Sequence, residues 1–513
     1  MNQNSRTHNS IKNATVSVGM QLLTLVASFV SRTIFIHTLG DQYLGISGLY
    51  TNILSVLSLA DLGVTTVMTF SLYKPIANHD TETVQALISY FKKLYRYIAL
   101  AILALGLCFV PFLQFVIKGS VLPLKELRLY YLLFLANSVC SYLVVYKSTL
   151  ITADQRVYII KVVDFIARIV AEAVMIVLLL LTGNYLLYLI ANVAVTLLKN
   201  LSLSLVADRI YPFLKNKNSV LLPPETKKAL LDNIKSLFIY RVSAMIMNST
   251  DNILISVILG TVIVGYYSNY LMIVTALNTF IMLVAQSVLS SIGSFNQTSD
   301  ATQKMQFFRN SLFFFFIVGT VCVACFQTMF NDFIYIWIGK EQPSYILSNF
   351  DVSCISFNFF VGCILNPIWM YREATGIFKK TRYSMTCAAL LNIVFSILFG
   401  RLFGLGGVIA ATALAKLLTN FWYEPIVLYR DVFHHSLSNY WLYILRLIVT
   451  SAIGIALSIF ACAAIPCSLG FMFLKICISF IITCCIFLLT AFKTPEFAFF
   501  KNLLKSIFRR KTA

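Results

Sequence analysis

The charged side chains that interrupt long apolar stretches are the residues of this sequence best able to do chemistry. An ionised group near the middle of a bilayer is costly unless it is paired or faces water, so it often marks a path for ions or substrates. Several such cations together would form an electropositive cavity suited to phosphate or diphosphate, which arginine binds as a fork and lysine as a point charge. The candidates for binding substrate in this cavity are Arg32, Asp61, Arg168, Lys199, Arg241, Asp251 and Lys416.

Each of these candidates also has a structural explanation. Arg32, Lys199 and Arg241 lie near the ends of their apolar stretches, from which a long side chain can reach the membrane interface. Asp61 lies deep in its stretch, where it would be buried as the partner of a nearby arginine. Asp251 occupies the counterpart of the Arg32 region in the second half of the chain, so an acid facing a base would form either a gate or a static ion pair.

A further group of charges lies on a single predicted helix. Asp164, Arg168 and Glu172 follow one another at intervals of four residues, which puts all three on one helix face. They can neutralise one another, and their face must turn towards the protein interior or a cavity rather than towards lipid. Lys199 and Lys416 occupy near-equivalent positions in the two halves. Two cations at such positions would lie around a shared central axis.

The elements that carry these charges are long apolar helices. Of the 513 residues, 59% are apolar and 12% are charged, about half the charged share of a soluble domain, which excludes a soluble enzyme and a disordered chain. The apolar runs are continuous, whereas barrel strands would alternate. The sequence therefore predicts an all-α polytopic membrane protein with about 14 transmembrane helices. The predicted spans are residues 14–36, 43–71, 97–117, 129–150, 158–181, 185–206, 236–259, 263–290, 310–331, 346–370, 383–400, 405–429, 441–465 and 471–492.

The basic residues orient these predicted helices. A net charge of +20 could indicate nucleic-acid binding, but most of the lysines and arginines fall in alternate connections, on one side of a membrane. The positive-inside rule then places both termini of this multi-pass protein in the cytoplasm, and nucleic acid is not expected as a partner. Arg372 is counted among these cytoplasmic residues.

The chain is predicted to form two six-helix lobes. The longest cytoplasmic connection is basic and proline-containing, as a linker between lobes would be. The motif LG-x4-G-x4-Y begins at Leu39 and again at Leu259, and six helices return the chain to the same side, so the lobes would be related by a parallel pseudo-twofold axis. The predicted domains are the lobes 1–206 and 236–433, the linker 207–235, and residues 434–513 with helices 13 and 14 and a basic cytoplasmic tail.

Several motifs resemble those of a known transporter family. From Ser249 to Tyr270 the chain reads STDNILISVILG and then, after four residues, GYYSNY. Residues 58–63 read SLADLG, residues 70–75 read FSLYKP, and Arg32 precedes the first LG pair. Together these motifs resemble the bacterial polysaccharide flippases, which carry O-antigen, capsular or exopolysaccharide repeat units. Those flippases belong to the multidrug/oligosaccharidyl-lipid/polysaccharide exporter superfamily.

This resemblance implies two six-helix lobes around a central cavity, with a helix pair added, in the bacterial cytoplasmic membrane. It implies a substrate of undecaprenyl diphosphate carrying an oligosaccharide repeat unit, moved from the inner to the outer leaflet by alternating access. By motif position the cavity role carries to Arg32, Asp61 and Asp251, whereas the other candidates rest on charge placement. The expected partners are this lipid-linked oligosaccharide, membrane lipids, and a polysaccharide polymerase and glycosyltransferases; no cofactor is expected.

Two other functions fit parts of the same sequence. A cation-coupled multidrug or metabolite exporter of the same superfamily would favour an acidic cavity in which Asp61, Asp164 and Asp251 dominate. A membrane glycan polymerase would need a large outer loop with catalytic groups, whereas the longest predicted outer connection is residues 332–345. We therefore expect no enzyme and no catalytic residue. The cysteines fall almost entirely within apolar runs, so no metal site is expected either.

Overall fold

Helices form every regular element that the computed structural model describes, which confirms the predicted all-α class for that part of the chain. The described residues are 3–58, 64–117, 122–154, 156–215, 222–298, 301–375 and 377–501. Within these ranges the structure leaves undescribed the side chains of residues 3–18, 77, 215, 233, 235–237, 239–241, 244, 245, 248, 284, 286–298, 374, 378, 379 and 382.

Seventeen α-helices follow one another along the described chain. The first ten are α1 (Gln3–Leu39), α2 (Asp41–Leu57), α3 (Val64–Ala77), α4 (Thr81–Phe109), α5 (Leu113–Val116), α6 (Leu124–Tyr142), α7 (Val145–Ala153), α8 (Val157–Thr182), α9 (Tyr185–Ile210) and α10 (Pro224–Leu259). The others are α11 (Thr261–Thr298), α12 (Ala301–Ile334), α13 (Asn349–Thr375), α14 (Phe378–Leu418), α15 (Asn420–Leu428), α16 (Ser438–Cys462) and α17 (Leu469–Ala491). Within α14 the helical path is broken at Gly404, whose φ of 65° is left-handed.

The length and hydropathy of these helices suit a bilayer. Nine helical stretches of the described chain are long and apolar enough to cross one, and the α6–α7 pair, bent by 41°, would add a tenth. Three further predicted spans coincide with α2 and α3, with α10 and with α11. Over the residues that the structure describes, these helices do not meet the same criterion of length and hydropathy. The protein is therefore a multi-pass membrane protein, and the number of fourteen transmembrane helices stays a prediction.

The chain divides into two compact units, residues 1–265 and 266–513. In the first unit, α8 packs against α1 and α9, and α6 packs against α4 and α9. In the second unit, α12 packs against α13, α16 and α17. The residues predicted as the linker, 207–235, fall inside the first unit, and α10, which begins at Pro224 within this stretch, packs on α2, α3 and α5. The predicted domain boundaries themselves stay a prediction.

The glycine motif found twice in the sequence has a structural role in the first unit. Gly40 follows α1 with a φ of 84° and Gly260 follows α10 with a φ of 105°, in the left-handed region that favours glycine. The second glycine of each copy of the motif, Gly45 or Gly265, lies where α2 approaches the start of α11. A Cβ atom at Gly45 would collide with the Thr261 carbonyl oxygen, and one at Gly265 would lie 2.8 Å from the first backbone carbonyl oxygen of α2, so it would collide as well. The motif therefore turns the chain and brings two helix starts together.

Polar contacts as well as apolar packing hold the second unit. Thr320 Oγ1 donates to Ser451 Oγ at 2.7 Å, which joins α12 to α16. Arg372 of α13 and Glu424 of α15 form a salt bridge of 2.9 Å that is almost fully buried. Arg372 is thus buried and paired with a carboxylate. From the sequence it is expected only as one of the cytoplasmic basic residues, and this pair is not predicted.

Candidate functional site

The helix α8 exposes two opposite faces. One face is apolar; its exposed side chains include Val162, Ile166, Val170 and Val177. The other is charged, with Asp164 and Arg168 exposed and Glu172 half-buried. A turn of 3.6 residues places these two sets on opposite sides of the helix. In a bilayer the apolar face suits lipid, so the charged face requires water or polar groups of the protein.

The two helices packed on α8 present polar side chains of their own. On α1, Ser28 and Arg32 are one turn apart and share a face. On α9, Tyr188, Asn192 and Lys199 recur at helical spacing. We call the following six residues the charged cluster: Ser28, Arg32, Asp164, Arg168, Glu172 and Lys199.

Arg168 makes the central contacts of the charged cluster. Its Nε lies 3.4 Å from Glu172 Oε1, and its Nη2 donates to Ser28 Oγ at 3.1 Å. Ser28 Oγ in turn donates to Glu172 Oε1 at 3.4 Å. Even so, 54% of the Arg168 side chain is exposed. The guanidinium is therefore oriented by its partners but keeps donors free to meet an incoming group.

A second ion pair of the cluster joins α8 to α9. Lys199 Nζ lies 3.3 Å from Asp164 Oδ1. The side chains of Lys199 and Asp164 are 36% and 48% exposed. Water therefore reaches both groups, and the pair contributes little to stability because exposed pairs gain little over their hydrated charges.

Arg32 adds a third cation to the charged cluster from α1. It is half-buried, and together with Arg168 and Glu172 it lies close enough to the Tyr188 hydroxyl to act on it electrostatically. The cluster thus brings three cations and two carboxylates together. Such a set can bind an anion when the cations exchange carboxylate oxygens for oxygens of the ligand.

Aromatic rings pack where α1 ends and α9 begins. The ring centroid of Tyr185 lies 4.8 Å from that of Tyr43 and 4.9 Å from that of Tyr130, and the rings of Phe35 and Tyr188 are 5.4 Å apart. The Tyr185 hydroxyl also shares a hydrogen bond of 2.7 Å with a serine of α2. These rings form a closely packed layer one turn beyond Arg32 on α1.

Three predicted site residues meet in the charged cluster, namely Arg32, Arg168 and Lys199. The helix spacing correctly predicts the contact of Arg168 with Glu172. The expectation that the stripe on α8 neutralises itself completely is wrong, since Asp164 pairs with Lys199 of the neighbouring helix. The physical reason is that the Arg168 guanidinium is directed towards Glu172 and α1, which leaves Asp164 to the lysine.

The other predicted site residues lie elsewhere. Asp251 is half-buried on α10 in the first unit. Lys416 belongs to the second unit, where its Nζ donates to Asn358 Oδ1 at 3.4 Å, so it has a different partner from Lys199. Asp61 falls outside the described residues, and so does the side chain of Arg241. That these residues bind substrate stays a prediction.

Two members of the site were not singled out from the sequence. Ser28 bridges Arg168 and Glu172, and Tyr188 lies beside the cations. A signal for Ser28 was present, because it precedes Arg32 by one helical turn. Tyr188 similarly precedes Asn192, an intramembrane amide, by one turn of α9.

Helices long and apolar enough to cross a bilayer, one of which has opposite apolar and charged faces, define the class of a polytopic membrane protein. A sequence profile of the family described as polysaccharide biosynthesis protein matches residues 10–290. Because the match covers more than half of the chain, the protein belongs to this family. No curated protein sequence matches the chain significantly.

Solved transporter structures share the fold. An inward-facing multidrug resistance MATE family transporter of the MOP superfamily has a TM-score of 0.62 at 13% identity, over 80% of this chain and 97% of that one. The lipid II flippase MurJ, in an inward closed conformation, has a TM-score of 0.60 at 15% identity, over 92% and 99%. The MATE transporter VcmN of Vibrio cholerae, as a mutant, has a TM-score of 0.57 at 12% identity, over 84% and 100%. The fold is therefore of the type shared by MATE transporters and MurJ.

Proposed function

We propose that this protein flips an oligosaccharide repeat unit linked to undecaprenyl diphosphate from the inner to the outer leaflet, by alternating access. Membership of the polysaccharide biosynthesis family supports the process, and a fold shared with transporters and a lipid flippase supports the activity. The flippase-like motif from Ser249 to Tyr270 supports a lipid-linked sugar as the substrate.

The observation that carries this proposal is the exposed guanidinium of Arg168, which lies in the charged cluster with two further cations. A diphosphate offers several acceptor oxygens and negative charge, and Arg168 presents exposed donors to such a group. Arg32 and Lys199 lie on the two helices that pack on either side of α8, so they supply further positive charge from different directions. The diphosphate of the lipid-linked sugar is the anion that we assign to this cluster.

The two carboxylates of the cluster suit a transporter that must release what it binds. In the absence of substrate, Glu172 and Asp164 pair with Arg168 and Lys199, so these two cations keep a carboxylate partner between cycles. When substrate enters, the cations exchange these oxygens for those of the diphosphate. Competition from the carboxylates keeps binding reversible, which turnover requires.

The finer architecture forms part of the same proposal. The nine spans identified by composition become ten with the bent α6–α7 pair, and fourteen when α14 is divided at Gly404 and when α2 with α3, α10 and α11 each cross the membrane. That number gives two six-helix lobes and a final pair. We place the protein in the bacterial cytoplasmic membrane with both termini inside, beside the polymerase and glycosyltransferases that use and supply its substrate.

The test is complementation of a strain from which this gene is deleted. The triple variant Arg32→Gln, Arg168→Gln and Lys199→Gln is expected to reduce surface glycan at least about tenfold, because each charge-assisted contact to phosphate is lost. The matched control is Arg401→Gln, which removes an exposed arginine of α14. Immunoblotting of the membrane fraction checks that all variants are inserted at equal levels.

Two results would contradict the proposal. One is normal surface glycan from the triple variant at equal membrane levels. The other is cation-driven drug efflux by the wild-type protein that depends on Asp164 and Asp251, without any effect of the gene on surface glycan; that result would support the alternative exporter.

A further inference from the structure

A cavity of about 650 Å³ lies in the second unit, at a distance along the chain from every residue of the charged cluster. Its walls come from three helices: Arg309 of α12, Tyr443 and Arg446 of α16, and Thr490 of α17. The wall contributed by α16 continues as an apolar row that includes Leu442. The cavity therefore combines cationic groups with an apolar surface.

Arg309 is held rigidly at one side of this cavity. Its Nε lies 2.9 Å from Glu496 Oε1, and the carboxylate is almost fully buried. Its guanidinium lies over the ring of Tyr443, 4.3 Å from the centroid. The Tyr443 hydroxyl also donates to the Arg309 carbonyl oxygen at 3.3 Å. Glu496 and the Tyr443 ring thus orient this guanidinium, and Glu496 balances its charge.

Arg446 supplies a second cation without such compensation. It is exposed, and no ion pair to a carboxylate is found for it within the part of the chain that the structure describes. Helical spacing places it on the same face as Leu442, Val449 and Ile453, in the middle of an apolar row. The cavity therefore has two cations and one carboxylate, an excess of one positive charge.

Arg446 lies nearer to the beginning of α16 than to its end, in a helix long and apolar enough to cross a bilayer. It lies about 12 Å along the helix axis from Ser438, where α16 begins, at 1.5 Å per residue. A guanidinium surrounded by apolar side chains at this depth is favoured when an anion accompanies it. The apolar row beyond it runs towards the bilayer core, where hydrocarbon chains lie.

We propose that this cavity binds one anionic glycerophospholipid. The phosphodiester lies against Arg446 and Arg309, and an acyl chain lies along Val449 and Ile453. The single negative charge of a phosphodiester matches the single excess positive charge of the cavity, whereas a diphosphate carries more charge. The bound lipid joins α16 to α12 and α17. This site is independent of the substrate proposed for the charged cluster.

The test is lipid binding by the purified full-length protein in detergent, measured by native mass spectrometry. Phosphatidylglycerol is titrated against phosphatidylcholine with the same acyl chains. We expect tighter binding of the anionic lipid, and about fivefold weaker binding of that lipid to Arg446→Gln, with phosphatidylcholine unchanged. The control is Arg401→Gln, another exposed arginine of the second unit, which should bind both lipids as the wild type does.

A second variant tests the acyl-chain part of the site. Val449→Trp fills the apolar row while both arginines are kept, and it should weaken phosphatidylglycerol binding as well. Glycerophosphoglycerol, which is the headgroup without chains, and undecaprenyl phosphate, which has a different chain, serve as competitors. Both should compete poorly.

Four outcomes would overturn the proposal. They are equal binding of the two phospholipids by the wild type, equal effects of Arg446→Gln and Arg401→Gln, full competition by glycerophosphoglycerol, and preferential binding of undecaprenyl phosphate. The third result would indicate a site for free anions, and the fourth would indicate a site for the carrier lipid.

Discussion

Ion pairs occur in both units of this protein, and they differ in the exposed fraction of their side chains. In the first unit, Arg168 and Glu172 are 3.4 Å apart, and 54% of the arginine side chain is exposed. In the second unit, Arg372 and Glu424 are 2.9 Å apart, and the two side chains are 2% and 0% exposed. The same two residue types thus form one open pair and one closed pair.

The neighbours of the closed pair explain why it stays closed. Glu424 Oε1 also accepts from Ser384 Oγ at 3.1 Å and from Asn420 Nδ2 at 2.6 Å. These contacts tie α13, α14 and α15 together around one carboxylate. Separating the pair would leave a buried charge without compensation, so this site is suited to holding the fold.

The open pair has the opposite property. Water already reaches Arg168, so its separation from Glu172 costs little free energy. A ligand with oxygens of its own can therefore replace the carboxylate. An ion pair alone therefore does not tell whether a charge binds a ligand or stabilises the fold. The exposed fraction of its side chain does, because an exposed cation can exchange its carboxylate for a ligand and a buried one cannot.

The largest effect is expected from Glu424→Ala. This change leaves the Arg372 guanidinium buried without its carboxylate, which should lower the free energy of unfolding by about 3–5 kcal/mol. Denaturant unfolding of the purified protein in micelles measures it. The double variant Arg372→Met and Glu424→Leu removes both charges and should recover most of the loss. A loss below about 1 kcal/mol in the single variant would show that the pair behaves as an exposed one.

A different pattern is expected from Arg168→Gln. Because the pair with Glu172 is exposed, unfolding free energy should change by less than about 1 kcal/mol. Surface glycan in the complemented deletion strain should fall at least about tenfold, since a charge-assisted contact to the substrate is lost. Lys161→Gln, an exposed cation on the same helix, is the control and should leave both quantities unchanged. A large loss of unfolding free energy with normal export would show that the Arg168–Glu172 pair stabilises the fold and does not bind substrate.

The smallest effect is expected from Ser28→Ala. The change removes the hydroxyl that accepts from Arg168 and donates to Glu172, so the arginine is oriented less well. Stability should fall by about 0.5–1.5 kcal/mol, and export should fall only a few-fold. The control is Thr24→Ala, one turn earlier, whose hydroxyl bonds only to the α1 backbone at Met20 among the contacts described. Equal effects of the two changes on export would assign no positioning role to Ser28.

Local spacing in the sequence predicted part of the site correctly. The apolar runs gave the helical class, and the four-residue interval gave the contact of Arg168 with Glu172, because both depend on neighbours within one helix. The contact of Asp164 with Lys199 depends on how α8 packs on α9. Spacing within one helix carries no information on that packing.

Arg372 shows that counting basic residues along the sequence does not reveal which of them are buried. The count of basic residues assigns each cation outside the predicted spans to one side of the membrane, and it places Arg372 in a cytoplasmic connection. Its partner Glu424 lies on α15, and only the packing of α13 against α15 brings the two together. The glycine motif illustrates the converse case. Its repetition was visible in the sequence, but the close approach of Gly45 to Thr261 required the folded chain.

The two opposite faces of α8 restrict how this helix can move. A half-turn about its own axis would place Asp164 and Arg168 in hydrocarbon and withdraw Ile166 from it, at a cost of several kcal/mol for each charge. Axial rotation is therefore closed to α8 during a working cycle. Tilting and sliding keep each face in its own surroundings, so these are the displacements open to this helix in the proposed cycle.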